Sequence, residues 1–355
     1  MLLVHGIAIN HRNLDTMADL SLARQLAAAG RDVWLLTLRS GRSDLGRAER
    51  SKARFAAMVA HDVPLAVAEV LHRTGAAHLD YVGFSMGGML LYGALGRTLP
   101  EPLVRRVVII GSPGRVAALV PLGPLAPLVS RMAGVQSLAP WLPLPLPLRL
   151  LSRIYAFASE WFSTPIHSVM VNLRNAAPGS TRVVLVDAVV DVPSALALEF
   201  VQWGYADGVV RVAGAPVLDG LHDVTVPALF FAGAGDRLGT PKAVRLAYDA
   251  WGRDTAVTKA FLLLASRHGH AADYGHADLQ TGRNAAADVN APAVEFLCAA
   301  NAAAWLTDSM GRKGATIGGC APQFVTATVV LAETVVLAET GGPTDADIAA
   351  PLGNA

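Results

Sequence analysis

Short runs of consecutive apolar residues, each separated by a stretch of helical spacing, recur over the first 113 residues and again after residue 225. Leu2-Leu3-Val4, Val33-Trp34-Leu35-Leu36-Thr37, His78-Leu79-Asp80-Tyr81-Val82 and Val107-Val108-Ile109-Ile110 read as strands. So do Val226-Pro227-Ala228-Leu229-Phe230-Phe231 and Ala260-Phe261-Leu262-Leu263-Leu264. Between them the spacing predicts helices over 16–30, with Met17, Leu20, Leu22 and Leu26 on one face and Gly30 at the end. Further helices are expected over 53–74 (through Pro64, stopping at Gly75), from Met89 onward, over 241–251 and over 285–306. Residues 39–51 read as a polar loop, and the arginines between 39 and 54 as a solvated face. Strands that are apolar throughout, rather than alternating, are buried on both faces. The expected fold is therefore α/β, a doubly wound and mostly parallel sheet joined by right-handed crossovers.

The alternation breaks between Arg115 and about residue 224. Val120-Pro121-Leu122-Gly123-Pro124-Leu125 and Trp141-Leu142-Pro143-Leu144-Pro145-Leu146-Pro147-Leu148 are apolar and almost uncharged. A membrane-spanning helix needs about 20 apolar residues, and the prolines recur too often to allow one. Helical pieces are expected over 149–176 and 192–204, making this an insertion and not a second sheet. The resulting division is a core of 1–113 and 225–310, an apolar helical cap of 114–224, and a tail of 311–355. Within the tail, Val329-Val330-Leu331-Ala332-Glu333-Thr334 repeats at once as Val335-Val336-Leu337-Ala338-Glu339-Thr340. That low-complexity segment is expected to be disordered and outside the fold.

Composition narrows the function classes. The chain of 355 residues is 53% apolar and 16% charged, with a net charge of +1 and no basic block, which argues against nucleic-acid binding. Two cysteines, Cys298 and Cys320, form neither a disulfide framework nor a metal-binding pair, and the expected compartment is the cytoplasm. Met1-Leu2-Leu3-Val4-His5-Gly6 shows no signal peptide. It opens inside a core strand, so strands preceding it are expected to be missing.

The chemistry sits at strand ends. Gly83-Phe84-Ser85-Met86-Gly87-Gly88 lies between a strand and a helix, the setting of a nucleophile elbow. There the serine takes a strained backbone conformation, and the flanking glycines leave room where a Cβ would clash. A serine hydroxyl needs a base, and the base an acid behind it. Asp236 follows the strand at 228–232, and His276 lies in the loop after 260–264. The order Ser85, Asp236, His276 is that of hydrolases on open α/β sheets. Oxyanion donors are expected at the backbone N–H groups of Met86 and Ile7. His268 and His270 compete with His276, but no cysteine or carboxylate completes a ligand pattern, so no metal is expected. His5 reads as a structural loop histidine, and Asp278 as a residue orienting the histidine loop.

With these motifs in view the chain resembles the α/β-hydrolase superfamily. Leu3-Val4-His5-Gly6, Asp32 to Arg39, Gly83 to Gly88, Gly235-Asp236 and Asp273-Tyr274-Gly275-His276-Ala277-Asp278 occur in the family's order. The stretch Asp273 to Ala285 resembles bacterial lipase/esterase-like members related to the acid-lipase and polyhydroxyalkanoate-synthase branches. Those synthases carry cysteine at the elbow, so Ser85 favours hydrolysis. The resemblance implies the α/β-hydrolase fold, a serine hydrolase of carboxylic esters, no cofactor, and a small-molecule ester or lipid as partner. The cap reads either as a core-packing lid or as an acyl pocket whose outer face makes peripheral membrane contact, with Arg115, Arg131, Arg149 and Arg153 at headgroups. An acyltransferase using the same three residues and a truncated, non-catalytic fragment remain as alternatives.

Overall fold

All six predicted runs lie side by side in one parallel sheet. The computed structural model describes residues 1–42, 44–46, 49–50, 53–118, 145–146, 148–159, 169–305 and 330–331. Most of the proline-rich stretch and nearly all of the tail lie outside the described residues. The strands are β1 (Leu2–Val4), β2 (Trp34–Leu36), β3 (Leu79–Phe84), β4 (Val104–Ile110), β5 (Ala228–Gly233) and β6 (Lys259–Leu264). They run in the order β6-β5-β4-β3-β1-β2, and Val330–Leu331 lies parallel to Trp34–Leu35 at the β2 edge. Alternate residues enter two separate cores, one on each face. Val4, Tyr81, Ile109 and Phe230 belong to the first, and Leu3, Val82, Ile110 and Phe231 to the second. That double burial is why the strands lack polar alternation.

The helices differ in detail from the expected spans. The first, α1 (Leu22–Ala28), begins six residues later than predicted because Ser21 caps it, accepting from the Arg24 amide at 3.0 Å. Asp15 holds the preceding turns by accepting from Ser21 Oγ at 2.6 Å and Arg24 Nε at 2.7 Å. The predicted 53–74 helix runs unbroken from Phe55 to Thr74, with Arg54 extended before it, but Pro64 leaves its mark. A wider π-turn, Met58–Asp62, precedes α2 (Val63–Thr74), and the missing proline N–H falls in the first turn of α2. Gly75, at φ 67°, ends α2 as expected. The next helix, α3 (Met86–Ala94), is buried along its whole length.

Cap helices α4 (Leu148–Ala156) and α5 (Ser194–Tyr205) fall where helical pieces were predicted. The cap also holds two antiparallel pairings of two residues each, Pro145–Leu146 with Val192–Pro193 and Arg211–Val212 with Ala215–Pro216. The core resumes with α6 (Pro241–Ala250) and closes with α7 (Ala291–Cys298). The predicted 285–306 helix is shorter, since Pro292 starts α7 and a π-turn, Ala286–Asn290, leads into it.

The arginines of 39–54 are not simply solvated. Arg39 is paired with Asp62 at 2.5 Å, and Arg50 donates to the Asp191 carbonyl at 3.0 Å. These contacts fasten the loop to the run leading into α2 and to the cap.

Candidate active site

The turn after β3 puts Ser85 in a conformation that L-residues rarely adopt, φ 52° and ψ −119°. Its neighbours explain how that is tolerated. A Cβ on Gly83 would stand 2.6 Å from the Gly88 amide nitrogen. One on Gly87 would overlap the Val4 carbonyl oxygen and stand 2.9 Å from the His5 carbonyl oxygen. The turn is pinned by Ser85 N–H donating to Ile110 O at 2.9 Å and by Tyr81 Oη donating to Gly87 O at 2.8 Å. Burial raises the Tyr81 phenol far above its ordinary range, so it remains a donor.

His276 stands between Ser85 and Asp236. Its Nε2 is 2.9 Å from Ser85 Oγ, and its Nδ1 is 2.7 Å from Asp236 Oδ2. The other oxygen, Asp236 Oδ1, accepts from the Leu238 and Gly239 amides, each at 2.8 Å. A carboxylate accepting at both oxygens makes Nδ1 the imidazole donor, and Nε2 then turns its lone pair to the serine hydroxyl. The Phe84 ring backs the imidazole at a centroid distance of 5.1 Å. All three side chains are buried, with Ser85 the most accessible at 8%. His268 and His270 are elsewhere: His268 is exposed, and His270 Nδ1 lies 3.4 Å from Asp288 Oδ1.

The turn after β1 presses against the serine. A Cβ on Gly6 would stand 2.9 Å from Ser85 Cβ. Ala8, in the same turn, has a positive φ of 64°. Met86 opens α3, where first-turn amides have no intrahelical partner, and Ile7 N–H has no backbone acceptor among the described residues. The sequence singled out Ile7 but missed Gly6, whose lack of a side chain lets the turn approach Ser85.

His5 holds this turn from behind. It is fully buried; its Nδ1 donates to Gly6 O at 2.7 Å, and its Nε2 accepts from the Leu38 amide at 3.1 Å. A proton on Nε2 would face that N–H, and burial lowers the His5 pKa to about 4. Unfolded, the imidazole titrates near 6.5. The unfolded chain therefore binds more protons between those values, so stability rises with pH across this window and is fully present above it. The expected loss on acidification is about 3 kcal/mol. Urea midpoints at pH 4.5 and 7 should differ more for the wild type than for His5→Asn, and equal slopes would contradict this account.

Asp278 holds the histidine loop as the sequence led us to expect, but the sequence missed its partners in the cap. Asp278 is buried, and its carboxylate accepts from Asn175 Nδ2 at 2.7 Å, Gly275 N–H at 2.9 Å and Asn172 N–H at 3.2 Å. Two of these donors come from the cap. Ala277 N–H donates to Met170 O at 2.8 Å, and Arg283 N–H to Asn175 O at 2.7 Å. Burial raises the Asp278 pKa, against the donors that favour its charged form. Asp278→Ala would strand three donors and is expected to cost about 3 kcal/mol, read as a lowered denaturation midpoint. An unchanged midpoint would show that the clamp contributes little.

The family described as alpha/beta hydrolase fold matches residues 1–281. No curated protein sequence matches the chain. Among solved structures, a lipase-esterase related protein from Clostridium acetobutylicum is 13% identical, with a TM-score of 0.51 over 83% of this chain and 93% of that one. A structure from the metagenome-derived lipolytic enzymes LipS and LipT is 17% identical, with a TM-score of 0.50 over 83% of this chain and 91% of that one. An esterase from Exiguobacterium antarcticum is 16% identical, with a TM-score of 0.49 over 84% of this chain and 91% of that one.

Proposed function

The chain belongs to the alpha/beta hydrolase fold family, and on that premise we propose that it is a serine hydrolase cleaving carboxylic esters with an apolar acyl group. The observation that carries the reading is the unbroken line from Ser85 Oγ through His276 to Asp236, at 2.9 and 2.7 Å. In the first step, Ser85 Oγ attacks the ester carbonyl while its proton passes to His276 Nε2. Asp236 keeps Nδ1–H directed at its carboxylate and balances the imidazolium. The oxyanion is held by the N–H groups of Met86 and Ile7. His276 then gives its proton to the departing alkoxide, leaving an acyl group on Ser85. Water attacks that acyl-enzyme, losing a proton to His276, and the carboxylic acid leaves as Ser85 regains its hydrogen. No step calls on a metal or an organic cofactor.

A second reading, acyl transfer to an alcohol, uses the same three residues. It draws support from Asp273-Tyr274-Gly275-His276-Ala277-Asp278, which resembles the sequence around the histidine of polyhydroxyalkanoate synthases. One experiment separates the readings. A panel of p-nitrophenyl esters of increasing acyl length is offered with and without competing alcohols, and the products are identified. Free acid as the main product, together with a fluorophosphonate adduct on Ser85, is the expected outcome. Transfer product dominating at low alcohol would favour the second reading. No turnover and no adduct from folded protein would refute both.

A further inference from the structure

Helix α4 is built inside out. Its stripe of small residues, Ser152 and Ala156 with Ser159 beyond the helix end, is the buried one. Ser152 Oγ hydrogen-bonds the Leu185 carbonyl at 2.9 Å, fixing the helix to the π-turn Val184–Ala188. The large apolar side chains point the other way, with Leu150 62% exposed, Leu151 54%, Ile154 61% and Phe157 74%. Four of the eight exposed large apolar residues among the described ones thus cluster on this helix and the turn that follows it. Such a concentration marks an interaction surface rather than scattered surface leucines.

The helix's own charged side chains are both cationic, while the acidic groups nearby sit at its N-terminus and on the turn beneath it: Asp191 accepts from the Arg149 amide at 2.9 Å, and Asp187 lies in the π-turn Val184–Ala188. Arg149 and Arg153 belong to the helix, and residues 148–159 contain no aspartate or glutamate. Exposed Arg182 places its guanidinium 6.0 Å from the Phe157 ring centroid, at the edge of the apolar face. An amphipathic helix with cations bordering exposed leucine, isoleucine and phenylalanine has the chemistry of an interfacial segment. Association of two copies through this face about a two-fold axis would crowd the arginines of one against those of the other.

Its position matters too. The π-turn on which α4 packs runs on into residues 188–190, which are joined to the turn after β1 by Val190 N–H donating to Ala8 O and Asn10 N–H to Ala188 O, both at 2.9 Å. The exposed face therefore belongs to the end of the sheet where Ser85 stands.

We propose that α4 and the turn after it form a docking face for an anionic lipid bilayer. Leu150, Ile154 and Phe157 enter the acyl boundary, while Arg153 and Arg182 meet the phosphates. This does not depend on the hydrolase reading, because the face makes no contact with Ser85.

The test is sedimentation of the full chain with phosphatidylcholine vesicles, with and without phosphatidylglycerol, at low and high salt. Binding to the anionic vesicles, weakened by salt, is expected. The double variant Ile154→Asp/Phe157→Asp should lower partitioning about tenfold or more. Arg153→Gln should reduce the preference for phosphatidylglycerol while leaving the fold intact. If the double variant fails to fold, the single Arg153→Gln comparison still decides. Wild type that stays in the supernatant, or variants that sediment like the wild type, would overturn the proposal. A dimer seen by size exclusion and broken by Ile154→Asp would overturn it in favour of a second copy. Repeating the binding with Ser85→Ala keeps this result separate from that of the ester assay.

Discussion

Replacing Ser85 with alanine is expected to lower ester turnover by about a millionfold while leaving the fold in place. The described hydrogen bonding of the Ser85 hydroxyl is the one to His276, so its removal strands no other buried group. The backbone strain at φ 52° is the same for alanine as for serine. The thermal midpoint should therefore move by no more than about 3 °C. His276→Ala should match the loss, and the double variant should be no worse than either single one, because the residues act as one unit. Asp236→Asn should cost about ten-thousandfold. An amide offers a donor where the carboxylate accepts, so the imidazole would turn its hydrogen toward Ser85 and could no longer take a proton from it. The measurement is kcat on a soluble ester, with the fluorophosphonate adduct as a count of competent sites. Residual activity within tenfold of wild type for folded Ser85→Ala would sink the proposed mechanism.

Gly87→Ala should have the largest effect on stability, about 3 kcal/mol or more. The new methyl would overlap the Val4 carbonyl oxygen and stand 2.8 Å from the Val4 carbonyl carbon and 2.9 Å from His5 O. These are backbone atoms, at the end of a strand paired on both sides, Val4 with Leu36 and with Gly83. Neither partner can yield without disturbing the sheet. The natural control is Gly46→Ala, where nothing lies within 4 Å of the added Cβ. Chemical denaturation should show a sharply lowered midpoint, or loss of soluble protein, for the first variant and little change for the second. Equal midpoints would mean that the elbow is looser than its geometry implies.

The elbow could be read from the sequence because it is local: strand, turn and helix occupy consecutive residues, and each glycine announces a close approach. The strands could be read because burial on both faces leaves uninterrupted apolar runs such as Val107 to Ile110. Asp236 and His276 were legible by their places after strands, and by the resemblance. Helix edges were less so. Ser21 stops α1 from starting earlier, yet serine is common, and its capping role depends on Asp15 holding the preceding turn. Asp278 was legible beside His276, but the cap's half of the clamp left no local trace, since Asn175 is 103 residues from Asp278. The pattern placed α4 but not its orientation, since its apolar side is the exposed one. Periodicity locates a helix but cannot say which face looks inward when the inner face is made of serine and alanine.

The clamp has a consequence for the order in which the molecule is assembled. The base loop follows the cap in the chain, and its Asp278 is satisfied by cap donors at Asn172 and Asn175. Until residues 170–177 are in place, those bonds cannot form and the imidazole has no fixed position 191 residues away from its serine. Contacts that distant in sequence form late. On the proposed mechanism, a newly made chain would thus hold Ser85 in a formed elbow, yet remain inert until the cap and the strand before the histidine loop had come together.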